Sequence, residues 1–407
     1  MNDINLNSFL KFGYFLDYNN PEIKFDFSGI NKWKYENVSE NRLINIGTEI
    51  LQNVIDDNFD KNKGHVVPLS GGLDSRAILG GLLKCTEAKN IHTYTFGTPG
   101  TLDYDIGNYI AKKVGTIHRS YPLTEYRYSL EEELIFSSNI EHQSILFHHA
   151  PVNDLIKSYD DFVLWSGFMG DPIAGSHLLK KPSITNEEAI SKFINKNTFV
   201  KSCDLTNKNE ANNVLNNYLC LSSNSTDFPV SLDEIYDFNF RQLRYVAPHV
   251  LIKGYNYKLP FVGKEWFDFM MSVPNNYRYN QYLYNKILVN SFPILFGYKT
   301  KHNGGVPLQA SRVRVKTQKG INYLKRKSGL FVDPNINYID FATGIRERMD
   351  LKDLIYSCIN DLKKRNILDW VDIDQLWKNH INKKANHADA LITLASLEIH
   401  LKAGKKV

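Results

Sequence analysis

The sequence predicts an α/β protein: a parallel sheet with helices on both faces, followed by a mainly helical C-terminal part. Short apolar strands alternate with helical segments between residues 64 and 165, which is typical of a covered parallel sheet. From residue 236 onward the apolar residues recur mostly at helical spacing. The chain has 407 residues, 43% hydrophobic and 23% charged, which is enough for a large globular core.

The predicted elements follow a regular order along the chain. A first helix is expected over residues 40–58, because Leu43, Ile46 and Ile50 begin a helical apolar pattern. Four strands come next, at Val66–Leu69, Ile91–Phe96, Ile117–Tyr121 and Phe162–Trp165. The helices expected after them are Ala77–Leu83, Ile106–Val114, Leu130–Phe136 and Val152–Ser158. Three later helices are expected at Glu265–Met271, Gln281–Ser291 and Ala388–Leu401.

Composition narrows the class of protein. The formal net charge of +5 is mild; it suits an anionic ligand such as a nucleotide, and a nucleic acid partner is not expected. No apolar run approaches the ~18 residues of a membrane span. The first residues lack a basic segment followed by an apolar run. A cytoplasmic protein without a membrane partner is therefore expected. The four cysteines form no CxxC pair, so a zinc or iron–sulfur site is not expected.

The clearest chemical signal is the loop Ser70-Gly71-Gly72-Leu73-Asp74-Ser75, between the first strand and its helix. Glycines there let the backbone approach a phosphate, and the helix N-terminus offers unpaired N–H groups. A carboxylate beside phosphates needs a cation, and Mg²⁺ is the natural choice. The spacing matches neither GxxxxGK[ST] nor GxGxxG. The alternative is an ordinary glycine-rich turn.

A second acidic segment, Ser166 to Asp171, follows the fourth strand. Ligands of parallel sheets gather at the carboxyl ends of the strands. Because Asp74 and Asp171 both lie just beyond such ends, they are predicted to share one Mg²⁺. The alternative for Asp171 is a turn or helix-capping role.

These residues resemble the ATP-pyrophosphatase domain of the asparagine synthetase family, whose SGGLDS signature is matched by the loop at 70–75. Further segments resemble the family in the same order, and together they extend over roughly residues 40–403. They are Phe96-Gly97 with Asp103, the stretch 111–118, the segment 166–171, Leu259-Pro260-Phe261, Val273-Pro274, the stretch 301–308 and the closing helix 388–401.

The resemblance implies an adenine nucleotide alpha hydrolase-like fold and a reaction type. Family members use ATP and Mg²⁺ to adenylate a carboxylate and release pyrophosphate, after which ammonia or an amine displaces AMP to form an amide. It also implies metal ligation by Asp74 and Asp171, with Lys286 and Lys301 as further catalytic groups. The implied nucleotide contacts are Leu69, Ser70, Gly71, Gly72, Leu73, Asp74, Ser75, Phe96, Gly97, Ser166 and Gly167.

The sequence also departs from the family pattern. Full-length members begin with a glutaminase domain whose nucleophile is a cysteine after the initiator Met, whereas Asn2 stands here and glutaminase activity is not expected. Residues 1–38 are interpreted as an irregular segment left from that domain, and 39–403 as the synthetase-like domain, with 178–235 as a variable, partly helical insertion. The family's glutamates of the second motif correspond to Phe168 and Pro172, and the aspartate of its "VPFLD" turn to Gly263.

The acceptor therefore stays open. We expect a carboxylate other than aspartate, from a small molecule, a peptide or a sugar acid. Its nitrogen would come from ammonia, a substrate amine or a separate glutaminase. The acceptor site is expected to include Glu141, His142, His148 and His149, for which a structural role is the alternative. Two other classes remain: a non-catalytic relative that still binds ATP, and an RNA-modifying enzyme with the same ATP loop.

Overall fold

A five-stranded parallel sheet organises the fold, as the sequence predicts. The computed structural model describes residues 3–17, 23–138, 141–149, 151–220, 229–251, 253–329 and 332–406. The order of the strands is β3-β2-β1-β4-β5. Their bounds are β1 (His65–Pro68), β2 (Ile91–Gly97), β3 (Ile117–Pro122), β4 (Val163–Trp165) and β5 (Asn256–Lys258). The fifth strand was not predicted, because Asn256 and Lys258 leave it without an apolar run.

The register places a topological switch point between β1 and β4. His65 of β1 pairs with Ile91 of β2 on one side and with Val163 of β4 on the other. The chain thus runs outward from β1 to β3 and then returns to the opposite side of β1. In open parallel sheets this crevice, at the carboxyl ends of the strands, is where ligands bind.

Helices account for most of the remaining described residues, and the C-terminal part is mainly helical, as expected. Residues Asp237–Val246 form a π-helix. A separate antiparallel pair consists of β6 (Lys299–Thr300) and β7 (Val306–Pro307). The helices are α1 (Asp3–Phe12), α2 (Glu40–Asp56), α3 (Asp74–Cys85), α4 (Leu102–Val114), α5 (Leu130–Ser138), α6 (Val152–Tyr159), α7 (Gly170–Ile173), α8 (Asn186–Asn197), α9 (Lys208–Leu219), α10 (Leu232–Tyr236), α11 (Ala247–Val250), α12 (Lys264–Ser272), α13 (Asn275–Arg278), α14 (Tyr282–Ser291), α15 (Pro293–Phe296), α16 (Arg312–Ser328), α17 (Phe341–Glu347), α18 (Met349–Lys364), α19 (Ile373–Ile381) and α20 (Ala388–Lys402).

Both faces of the sheet are covered. Successive side chains of a strand point to opposite faces. Val67 accordingly joins the large core formed with α2, α3 and α4, whereas its neighbour Val66 packs in a separate cluster with Leu155 and Tyr159 of α6. None of the helices that the structure describes is long and apolar enough to cross a membrane.

The expectation of an irregular N-terminal segment is wrong at its start. Helix α1 places Leu6, Phe9 and Leu10 at helical spacing, and all three are buried. It packs against α9 and α20, so this segment belongs to the core of the fold. Its origin as part of a lost domain stays a prediction, and residues 1–2 and 18–22 lie outside the described part. The proposed insertion contains α8, α9 and α10, with 221–228 outside the described residues.

Candidate functional site

A cleft of about 780 Å³ opens at the switch point, beyond the carboxyl ends of β1 and β4. Most of the nucleotide-binding residues expected from the sequence line it. Those residues are Ser70, Gly72, Leu73, Asp74, Ser75, Phe96, Ser166, Gly167, Asp171 and Lys301.

The loop at 70–75 is closed by its own serines. Ser70 donates its N–H to Oγ of Ser75 at 3.2 Å, and Gly72 donates its N–H to Oγ of Ser70 at 3.1 Å. Helix α3 begins at Asp74. The N–H groups of Leu73, Asp74 and Ser75 donate to no acceptor within the described residues, as is usual where a helix begins. Such a set of free donors at a helix N-terminus suits a phosphate group.

The two glycines of this loop serve different purposes. A Cβ on Gly71 would lie 2.7 Å from the carbonyl oxygen of Leu102, so no larger residue fits. The carbonyl of Gly71 also accepts the N–H of Lys301 at 2.8 Å. A Cβ on Gly72 would meet only Oγ of Ser70, at 3.2 Å, and would otherwise point into open space. Gly72 therefore leaves room in the cleft itself.

Asp74 and Asp171 come together, although 97 positions separate them in the sequence. The N–H of Asp171 donates to Oδ2 of Asp74 at 3.2 Å. The hydroxyl of Tyr284, which is fully buried, donates to Oδ1 of Asp74 at 2.7 Å. Gln281 donates its side-chain N–H to Oδ1 of Asp171 at 2.6 Å. Tyr284 of α14 and Gln281, the residue before that helix, thus hold two carboxylates from two strand ends.

The second loop must be small to accept Asp74. A Cβ on Gly170 would lie 2.3 Å from Cγ of Asp74, and one on Gly167 would lie 2.8 Å from its Cβ. Met169 between them has a left-handed φ of 69°, a rare conformation for a residue with a side chain. The glycines of 166–171 therefore let this loop close directly over the start of α3.

The two carboxylates fit a divalent cation. Desolvation in the cleft, and next the nearby charge of Asp171, raise the pKa of Asp74 well above its usual range. A cation bound by both groups would relieve this repulsion. Oδ2 of Asp171 accepts no hydrogen bond from the residues described, and Asp171 is exposed, so it can reach a ligand. Hard carboxylate oxygens together with phosphate oxygens are the ligands that Mg²⁺ prefers.

The two candidate lysines lie in different places. Lys301 lines the cleft, where its ammonium group contacts Asp103 and Oδ1 of Asn337, the latter at 2.5 Å. Lys286 does not line the cleft, because it lies on the other side of α14 from Tyr284. It pairs with Glu40 at 2.5 Å and lies over the ring of Tyr282. The structure therefore places Lys286 outside the candidate site.

Three other expected nucleotide contacts, Leu69, Gly71 and Gly97, support the cleft without lining it. Leu69 is buried in the core; its N–H donates to the carbonyl of Tyr94, and its own carbonyl accepts the hydroxyl of Thr95. Gly97 has a φ of +145°, and its carbonyl accepts the N–H of Leu123. These backbone groups fix the ends of β1 and β2.

The predicted acceptor residues are partly brought together. His142, His148 and His149 line the cleft, whereas Glu141 forms a surface ion pair with Lys253. Burial lowers the pKa of His142 well below its usual range and that of His148 to about 3, so both rings are neutral near pH 7. His148 stacks on Tyr338 with the ring planes 3° apart. His142 and His148 therefore give this wall of the cleft neutral, aromatic side chains.

Sequence analysis missed a third group of cleft residues. His177 donates from Nδ1 to Oδ2 of Asp237 at 2.8 Å, and Gln242 donates to the same oxygen at 3.1 Å. Asp237, Arg241 and Gln242 belong to the π-helix, a rare element that often occurs at functional sites. His177, Arg241 and Gln242 line the cleft. A π-helix leaves no recognisable periodicity in a single sequence, which is why these residues were not identified.

Non-acidic residues stand at the three positions where the family has its glutamates and its aspartate. Phe168 is buried in the core and Pro172 is buried in α7, although both border the cleft. Gly263 precedes α12, and a Cβ there would lie 3.1 Å from the carbonyl of Pro260.

Comparison with known families agrees with the location of the site. Residues 51–135 match the family described as asparagine synthase. The match covers β1, the 70–75 loop, α3, β2, α4 and β3, which include the part of the cleft around that loop. No curated protein sequence matches the chain. Residues 51–135 are therefore similar to the asparagine synthetase family, a family of ATP-dependent amide ligases.

Proposed function

We propose that the protein is an AMP-forming ligase that adenylates a carboxylate and transfers the acyl group to ammonia or an amine. The observation that carries this proposal is the meeting of Asp74 and Asp171 beside the free N–H groups of the 70–75 loop. A divalent cation held by the two carboxylates would complement the negative charge of phosphates bound at the loop.

The cleft offers a place for each part of ATP. The phosphates lie on the N–H groups of Leu73 to Ser75, and the base lies towards Phe96, which stacks at 6.2 Å on Tyr338. Lys301, now paired with Asp103, is close enough to the loop to contact a phosphate oxygen instead. Mg²⁺ held by Asp74 and Asp171 would offset the negative charge of the phosphates.

The reaction has two steps. An acceptor carboxylate oxygen attacks the α-phosphorus, the bond to the oxygen bridging to the β-phosphate breaks, and pyrophosphate leaves. The amine nitrogen then attacks the acyl carbon, the bond to AMP breaks, and a proton leaves the nitrogen. Lys301 stabilises charge in the first step, and the second step needs a base.

We assign the base to His177. Its Nδ1 hydrogen bond to Asp237 fixes the tautomer in which Nε2 is free to accept a proton. Although burial alone would raise the pKa of Asp237, the hydrogen bond and charge of His177 hold that pKa below its usual range. The imidazole lies partly exposed in the cleft, nine positions after Phe168, where the family has its proposed base.

The acceptor binds on the side opposite the nucleotide loop. Arg241 lines the cleft and forms no ion pair with the carboxylates that the structure describes, so its guanidinium is free to bind an acidic group of the acceptor. The wall of His142, His148 and His149 supplies aromatic surface and hydrogen-bonding groups. This combination favours an acid with an uncharged remainder, such as a sugar acid, over an amino acid.

A test of nucleotide binding needs no knowledge of the acceptor. Calorimetry with α,β-methylene-ATP, which resists cleavage at the proposed bond, should detect binding that is strengthened by Mg²⁺. Turnover is then sought by measuring pyrophosphate release with a panel of sugar acids, peptides and small carboxylates. Absence of nucleotide binding with and without Mg²⁺ would reject the proposal.

The role of His177 is tested by separating the two steps. His177→Gln should leave carboxylate-dependent exchange of pyrophosphate into ATP within about twofold, yet slow amide formation ~100-fold, the typical contribution of a general base. Hydroxylamine is largely unprotonated at neutral pH and a strong nucleophile, so it can attack without a general base and lose its proton to water afterwards; it should restore most of the lost rate. Equal losses in exchange and in amide formation would show that His177 acts only structurally.

A non-catalytic relative that binds ATP is the second candidate. It is favoured by the buried Phe168 and Pro172, which leave the second motif without its usual glutamates. Tight Mg²⁺-dependent nucleotide binding, with no AMP formed from any acceptor or nitrogen donor, would support this alternative.

A further inference from the structure

Helix α16 is the most basic element of the described chain. Its 17 residues include seven lysines and arginines and no acidic residue. In the described part of the chain no ion pair joins a carboxylate to Arg312, Arg314, Lys316, Lys319, Arg326 or Lys327, and Arg326 and Lys327 instead lie over the ring of Tyr323. These positive charges must therefore be hydrated by solvent or neutralised by an anionic partner.

Only a narrow side of α16 packs on the rest of the protein. Asn322 is buried and donates to the carbonyl of Gly304, while Val315 and Gln318 are half-buried. These three residues are spaced as i, i+3 and i+7, which defines one side of a helix. The other residues of the helix are exposed.

The outer side of the helix displays aliphatic residues. Val313 is 75% exposed, Leu324 is 66% exposed and Ile321 is 42% exposed. At about 100° per residue, Val313 and Leu324 lie opposite the packed side, and roughly 16 Å apart along the axis. By the same geometry Lys316 and Lys327 flank this strip on one side, and Arg314 flanks it on the other.

Helix α16 packs against the turn that contains Lys301, a residue that lines the cleft. Gly304 lies in that turn, and a Cβ there would lie 3.1 Å from the side chain of Lys319. His302 of the same turn lines the cleft. A partner bound to α16 therefore lies close to the entrance of the candidate site.

We propose that α16 docks the protein onto an anionic lipid surface, with its aliphatic strip in the lipid and its basic residues on the headgroups. A basic helix with a separate apolar strip is typical of helices that lie in a membrane interface. The expectation of no membrane partner considered only spanning segments, and it does not apply to a helix that lies on the surface.

A lipid surface fits these observations better than RNA or a partner protein does. RNA is bound by cations and stacking aromatics, whereas Val313 and Leu324 on the outer side are aliphatic and the one tyrosine, Tyr323, already has Arg326 and Lys327 over its ring. A stable protein partner needs about 800 Å² on each side. The outer strip is only one helix wide. Because all but three residues of the helix are exposed, α16 is a protruding surface and offers no groove to a protein partner.

The test is flotation of the purified protein with phosphatidylcholine vesicles, with and without 30% phosphatidylglycerol. We expect binding only to the anionic vesicles, weakened by salt. Replacing Lys316 and Lys327 together by Gln should lower the partition coefficient about 25-fold, from about fivefold for each charge. Val313→Ser with Leu324→Ser should lower it at least tenfold while the charge is unchanged.

Matched controls come from other exposed positions. Two control variants remove the same kinds of groups elsewhere: the double variant Lys61→Gln with Lys63→Gln, and the single variant Ile294→Ser. Both should leave the partition coefficient within twofold of the wild type. No binding, equal binding to both vesicles, or equal effects of control and α16 substitutions would overturn the proposal. So would tighter binding of bulk tRNA that the same α16 substitutions abolish. Nucleotide binding by the variants should be unchanged, which separates this test from that of the proposed function.

Discussion

The backbone N–H of Asp171 donates a hydrogen bond to Oδ2 of Asp74, at a distance of 3.2 Å. The two residues follow different strands, and their contact depends on β4 lying beside β1 in the sheet. Tyr284 and Gln281, spaced three residues apart, hold one carboxylate each. The candidate metal site is thus fixed by the sheet below it and by one helical turn beside it.

Gly72 leaves space for the phosphates, so Gly72→Val should abolish nucleotide binding without unfolding the protein. The new Cβ meets only Oγ of Ser70, and its methyl groups would project into the cleft. We expect the affinity for α,β-methylene-ATP with Mg²⁺ to fall at least 100-fold in calorimetry. Gly320→Val, at an exposed position with open space around it, is the control. Unchanged affinity in Gly72→Val would remove this loop from the nucleotide site.

The two lysines should differ sharply in their effect on activity. Lys301→Ala removes a cation from the cleft and should lower the rate of pyrophosphate release ~100-fold, as expected for the loss of one charged stabilising group. Lys286→Ala removes only a surface pair with Glu40 and should stay within twofold. The measurement is pyrophosphate release with an acceptor that supports turnover. The opposite ranking would show that α14 moves during catalysis.

The purified chain should not release glutamate from glutamine. A glutaminase needs a reactive thiolate, but burial raises the pKa of Cys85 and of Cys358 to about 12. None of the four cysteines lines the cleft. Ammonium should therefore replace glutamine as nitrogen donor in the assay. Glutamate formation above that of heat-treated protein would contradict this prediction.

His249 should make the protein less stable in acid. Burial, with a smaller effect of His149, lowers its pKa to about 4 in the folded state, against about 6.5 when unfolded. As the pH falls below about 6.5, the unfolded state binds this proton first, so the free energy of unfolding falls until about pH 4. The loss is on the order of 3 kcal/mol.

The measurement compares urea unfolding of the wild type and His249→Gln at pH 7 and pH 4.5. Gln can still reach the hydroxyl of Tyr338, which His249 contacts at 2.8 Å. The variant should lose less stability between the two pH values. An identical loss in both proteins would exclude His249 as a source of the acid sensitivity.

The central sheet and the glycine-rich loop at 70–75 could be predicted from sequence because they depend on local patterns. The apolar runs of β1 and β2 and the helical spacing of α2 are visible in the residues themselves, and the glycines of the loop have a direct physical reason. The pairing of Asp74 with Asp171 was also predictable, since both follow strands of one parallel sheet.

The remainder of the site depends on packing that one sequence does not display. The family resemblance implied Lys286 of α14, but the residues of this region that contact the two carboxylates are Gln281, just before the helix, and Tyr284. His177 and Asp237 are 60 positions apart, and a π-helix joins them to the cleft. Their contact follows from the tertiary structure, so no local pattern could have indicated it.

The most direct test of the shared metal site measures how much Mg²⁺ strengthens the binding of α,β-methylene-ATP, in the wild type and in three variants. Asn at position 74 or 171 keeps the shape of the side chain but removes the charge, and at position 74 it keeps one of the two acceptor oxygens that Tyr284 and the N–H of Asp171 use. In the wild type we expect at least a tenfold gain in affinity from Mg²⁺. Asp74→Asn and Asp171→Asn should each abolish this gain, and the double variant should lose nothing further, because groups that bind one ion are not additive. A full Mg²⁺ gain in Asp171→Asn, or losses that simply add in the double variant, would contradict the shared site.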